Sequence, residues 1–134
     1  MPPKDHFPGS PSDWLRYAFS DLELARMGQQ PKVLLEGLCF HAQQAAEKAL
    51  KAMLIVKGIT PPKTHNIRTL LDFLPQDIIP PPGVEDAASL TDYAVISRYP
   101  GDFEPVDEEE YKQTIRLAEA VVLWAQGIIM QQKK

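Results

Sequence analysis

The chain has 134 residues, 44% hydrophobic and 24% charged, which fits one soluble domain with a core of its own. A net charge of −4 argues against a role in coating polyanions. The lone Cys39 excludes an internal disulfide, no Cys/His spacing suits zinc, and no cofactor is implied. The start, MPPKDHFPGSPSD, lacks the apolar stretch of a signal peptide, and no run is long and apolar enough to span a membrane. The expectation is a cytoplasmic protein.

Thirteen prolines are roughly twice ordinary usage, a level that also occurs in disordered chains. Their positions point instead to punctuation. They leave five stretches of helix-compatible length: 12–30, 32–60, 63–74, 83–99 and 106–134. Segment 1–9 reads as a flexible lead-in to a single domain.

The first helix is predicted to start after Ser10, with Pro11 in its first turn, and to stop at Gly28. Trp14, Leu15, Ala18, Leu22 and Ala25 follow helical spacing, whereas Tyr17 and Leu24 lie off that stripe as a second apolar patch. The second helix is expected from about Val33 to Lys57, stopping at Gly58. The third runs from about His65 to Leu74, with Thr64 or Asn66 as cap. The fourth spans about Val84 to Arg98, because Tyr99 precedes Pro100. The fifth opens at Asp107, which with Glu110 fits a capping box. Its apolar residues, from Ile115 through Val121, Leu123 and Trp124 to Ile129, cover more than one face, so it is either central or shared with a partner chain. No segment alternates with period two. The fold class is therefore all-α, an up-and-down bundle of four to five helices.

Charge is unevenly placed. Lys48 to Arg68 holds five cations and no acid, and Asp102 to Glu110 holds six acids and no cation. On the second helix His41, Gln44, Lys48 and Lys51 share an arc of about 80°. Such a strip serves either as a solvated face, with Glu47 and Lys51 as an i,i+4 pair, or as a cationic track for phosphate with His41 and Gln44 as donors. Lys63, His65 and Arg68 extend the basic segment. His65 also suits capping its helix or bonding across the Pro61-Pro62 turn. In YAVISRYPG, Arg98 and Tyr99 either close the fourth helix or hold a phosphate or base.

The segments FHAQQAAEKALKAMLIVKGITPPKTHNIRTLL (40–71) and LTDYAVISRYPGDF (90–103) together resemble the HEPN domain, named for higher eukaryotes and prokaryotes nucleotide-binding. The resemblance covers nearly the whole chain. It implies a helical bundle that commonly dimerises, and a companion role to a minimal nucleotidyltransferase in a toxin–antitoxin-like pair. It also implies a nucleotide partner such as ATP or GTP. Lys48 and Lys51 fall on the helix that would face the nucleotide, and Arg98 and Tyr99 on the family's Arg-Tyr-Pro turn. Gln43 or Gln44, and Glu47, take its recurrent polar positions.

Many HEPN proteins are metal-independent ribonucleases in which four to six residues separate an arginine from a following histidine. Here those positions hold Leu34, Leu35 and Glu36 before His41, and Gly58, Ile59 and Thr60 before His65. The motif is absent, so no catalytic residue is assigned and RNA is disfavoured. The expected function is a homodimeric nucleotide- or partner-binding module. The alternatives are a ribonuclease toxin with a non-standard Arg/His pair, such as His65 with Arg68 or Arg98, and a purely structural adaptor.

Overall fold

The computed structural model describes residues 9–94 and 105–132, the side chain of Gln132 excepted. Four α-helices lie among them: α1 (Pro11–Ala25), α2 (Leu35–Val56), α3 (Ile67–Asp72) and α4 (Glu108–Gln132). A 3₁₀ helix, Glu85–Tyr93, sits between α3 and α4. No strand occurs among the described residues, so the all-α bundle stands. Of the lead-in 1–9, only Gly9 falls within the description.

Helix ends follow from single residues. The Ser10 hydroxyl accepts the Asp13 N–H at 3.1 Å, and Pro11 occupies the first turn, where no N–H is needed. After α1 the chain turns at Gly28, whose φ of +76° suits glycine. At α2's end Gly58 (φ +78°) donates to the Ile55 carbonyl at 2.9 Å, and Ile59 donates to Leu54 at 2.9 Å. That pair of bonds is a Schellman closure. Asn66, not Thr64, caps α3 by accepting the Thr69 N–H at 3.1 Å. Asp107 accepts the Glu110 N–H at 2.7 Å. The second and third predicted helices are trimmed by a residue or two at each end, whereas α1 and α4 begin directly after their expected caps, Ser10 and Asp107.

The segment expected as an α-helix from Val84 forms a 3₁₀ helix instead. Its buried residues Val84, Ala87 and Leu90 are spaced by three, so a three-residue turn aligns them on the core where a 3.6-residue turn would rotate them off it. Two further anchors hold that conformation. Thr91 Oγ1 accepts the first N–H of α3, from Ile67, at 2.9 Å, and Ser89 Oγ donates to the Asp86 carbonyl. The expected continuation to Arg98 and Tyr99 lies outside the described residues.

α1 and α2 pack antiparallel along their length, with Trp14 beside Lys51 and Tyr17 beside Lys48. The start of α4 lies against the start of α2, where Val106 and Tyr111 meet Leu35, Leu38 and Cys39. The core holds Leu22 of α1, Leu50, Met53 and Leu54 of α2, Leu70 of α3, Leu90, and Val121 and Val122 of α4. α2 carries five buried alanines (42, 45, 46, 49 and 52), which let neighbouring helices approach it closely. The last helix is thus central on one face, while Leu123 and Met130 remain exposed.

A polar seam between the first two helices

Two carboxylates are nearly buried, Asp21 of α1 at 8% and Glu47 of α2 at 3% exposure. A buried carboxylate needs charged or hydrogen-bonding partners to offset its lost hydration. Both have them, drawn largely from the strip on α2.

Asp21 follows Ala18 and precedes Leu22 and Ala25, so the helical phase that buries those three draws the carboxylate inward. Its Oδ2 accepts Lys48 Nζ at 2.6 Å, and its Oδ1 lies 3.0 Å from His41 Nδ1. The His41 ring meets Phe40 edge-on at 5.5 Å. Lys48 Nζ also stands 5.8 Å from the centroid of the Tyr17 ring, and the Arg16 guanidinium lies 5.3 Å from the same ring. Tyr17 is 55% exposed, so one aromatic ring on the surface carries two cations.

Glu47 gathers the other half of the strip. Lys51 Nζ donates to Oε2 at 2.9 Å, while His65 Nδ1 (2.9 Å) and Gln43 Nε2 (3.1 Å) reach Oε1. Gln43, fully buried, also donates to the His65 carbonyl at 3.0 Å and accepts Gln44 Nε2 at 2.7 Å. Burial alone pushes the Glu47 carboxyl up, but the hydrogen bonds from Lys51, His65 and Gln43 outweigh it and leave the group below its ordinary value. Lys51 also sits 5.6 Å from the Trp14 ring.

The structure therefore brings His41, Gln44, Lys48, Lys51 and His65 into one seam, with the cations lying on carboxylates. His65 spans back to Glu47; it is Asn66 that caps α3. Arg68 is committed elsewhere, donating to the Glu85 carbonyl at 3.3 Å and lying 3.9 Å from Asp72. Arg98 and Tyr99 lie outside the described residues. Sequence reasoning missed Asp21, Arg16 and Trp14 as site residues, and gave Tyr17 only as an apolar patch. The signal for Asp21 was an acid within the apolar stripe of α1. Among the described residues no group of His, Cys, Asp and Glu could hold a metal ion, and no helix is long and apolar enough to cross a membrane.

Comparison with known proteins matches this geometry to a family. The protein TT1696 from Thermus thermophilus is similar over 90% of this chain and 98% of its own, at 29% identity and a TM-score of 0.78. ST0689, an archaeal HEPN homologue, is similar over 92% of this chain and 95% of its own, at 32% identity and a TM-score of 0.53. Among curated proteins none matches. The family description HEPN domain matches residues 11–128, and with that span running from the start of α1 into the last turns of α4, the chain belongs to the HEPN domain family.

Proposed function

We propose that this HEPN chain is a cytoplasmic, non-catalytic binding module for a nucleotide such as ATP or GTP, working as the companion of a minimal nucleotidyltransferase in a toxin–antitoxin-like pair. The observation that carries the reading is the exposed Tyr17 ring with Arg16 and Lys48 over it, next to the Asp21–His41 pair. An aromatic face stacks a base and flanking cations take phosphate oxygens, two contacts that together suit a nucleotide. Asp21 lies on the inner side of Lys48, with 11% of its side chain exposed against 24% for the lysine. Phosphate arriving from solvent therefore meets cation before carboxylate. The test is a thermal shift with ATP and GTP. A rise in melting temperature that disappears in Tyr17→Ala and in Lys48→Ala supports the site, and the absence of any shift in the wild type removes the nucleotide.

One observation favours a ribonuclease as the second reading. His41 and His65 each have Nδ1 on a buried carboxylate, which fixes the ring and leaves Nε2 for proton transfer. Growth arrest on expression, relieved by His65→Ala, with RNA cleaved in vitro, would establish it. Intact RNA after incubation with the pure chain rejects it.

A further inference from the structure

The cations Arg16, Lys48 and Lys51 differ in how firmly acids hold them. Arg16 is open. Its side chain is 70% exposed, and its contact with Asp13 is 3.5 Å long, a surface pair worth little in water. Lys51 is shut in. Its side chain is 11% exposed and donates at 2.9 Å to Glu47, a carboxylate that Gln43 and His65 also bond. Lys48 stands between these extremes. Its side chain is 24% exposed, so solvent reaches part of it, yet it donates at 2.6 Å to Asp21.

Asp21 gives Lys48 what a phosphate would give it, anionic oxygen at hydrogen-bond distance. A phosphate brought to the same ammonium faces that carboxylate, like charge against like. Asp21 also has a second partner, His41 Nδ1, 3.0 Å from its other oxygen. The carboxylate therefore keeps one contact when Lys48 turns outward, which lowers the cost of releasing the lysine. The flexible four-carbon stem of Lys48 permits that turn.

We propose that Asp21 is an internal competitor of phosphate: it masks Lys48 in the free chain, and a nucleotide binds by exchanging its own phosphate oxygens for that carboxylate. This rests on the nucleotide reading given above and adds the regulation of that site. A monophosphate finds the exposed Arg16 without any exchange. A polyphosphate that engages both cations of the Tyr17 ring must displace Asp21, so the mask falls on nucleoside di- and triphosphates. The exchange also breaks the ion pair that joins α1 to α2, so occupancy of the site is felt where those helices pack.

Calorimetric titration of the full chain with ATP and with AMP tests the exchange. Asp21→Asn removes the charge and keeps the shape, and Asp21→Ser is the second variant should the first fail to fold by circular dichroism. ATP is expected to bind the charge-removed protein about tenfold tighter than the wild type, the worth of one charge-assisted hydrogen bond. AMP, which Arg16 alone can hold, is expected to change by less than about twofold. In a Lys48→Ala background the removal of Asp21's charge should bring ATP no gain. ATP binding that is unchanged or weaker without the carboxylate makes Asp21 a support for Lys48 and overturns the proposal. An equal gain for AMP and ATP, or a gain that survives in Lys48→Ala, reflects the general field rather than exchange at Lys48 and overturns it too. If neither the wild type nor the Asp21 variants take up ATP, the nucleotide reading itself falls, and the competition with it.

Discussion

Asp21 of α1 and Lys48 of α2 form a 2.6 Å ion pair across the helix interface, and the same carboxylate holds His41. Removing one partner of a mostly buried pair costs more than the pair contributes, because the survivor keeps its desolvation without compensation. Lys48→Met leaves Asp21 with only His41 and is expected to destabilise by about 3 kcal/mol. Asp21→Asn retains hydrogen bonding and should cost less, about 1–2 kcal/mol. In the double variant the loss should be smaller than the sum of the two. Urea denaturation of the four proteins measures this, and strict additivity would show that the pair is not coupled.

Tyr111 links the bundle's first and last helices. Its hydroxyl donates to the Ala25 carbonyl at 2.5 Å and accepts the Gly28 N–H at 3.0 Å, satisfying two backbone groups at the α1 terminus. Tyr111→Phe keeps the ring among Leu35, Leu38 and Val106 but strands both groups, an expected cost of about 1–3 kcal/mol. Hydrogen exchange should speed up at Gly28 beyond the global change. Burial also raises the Tyr111 phenol above its ordinary value, and Tyr93 is raised as well, by burial and then by its bond to Glu110. A spectrophotometric titration should therefore show a delayed phase that Tyr111→Phe reduces.

Leu90 tests the 3₁₀ helix. It is fully buried at the third position of the Val84, Ala87, Leu90 row, and Leu90→Ala is expected to cost about 2–5 kcal/mol. Ser89 and Asp92 flank it on more exposed ground. Ser89→Ala should cost at most about 1 kcal/mol through its single bond to the Asp86 carbonyl. Thermal melts that rank the two alike would mean that the three-residue spacing does not anchor this segment.

What the sequence disclosed and what it withheld divide along the range of the interactions. Caps at Ser10, Asn66 and Asp107 and stops at Gly28 and Gly58 act over three or four residues, so residue type alone betrays them. The 3₁₀ segment reads as α from its sequence because a row of buried residues every three positions is ambiguous until the surface it packs on is known. The basic run from Lys48 to Arg68 looks like free positive charge for a similar reason. Asp21, 27 positions before Lys48, pairs with that lysine only once α1 and α2 are laid antiparallel. Tyr17 is visible as an apolar residue off the stripe, but its partnership with Lys48 depends on that same helix pairing.

Glu47 makes acid stability the sharpest test of the seam. Its carboxyl titrates below the ordinary 4.5 in the folded chain, despite burial, because Lys51, His65 and Gln43 bond the charged form. A group with a depressed folded value contributes stability above its unfolded value, and that contribution fades as pH falls through the folded one. Between neutrality and about pH 5 the Glu47 contribution should be constant, and it should decline from the ordinary carboxylate range downward. Glu47→Gln deletes the titration. It should be less stable than the wild type at pH 7, since Lys51 keeps only the Trp14 ring, and the gap should narrow as pH drops toward about 3. Denaturant midpoints for both proteins across that range decide it. A gap that stays constant with pH would place the loss in packing rather than in the charge that Lys51 and His65 hold.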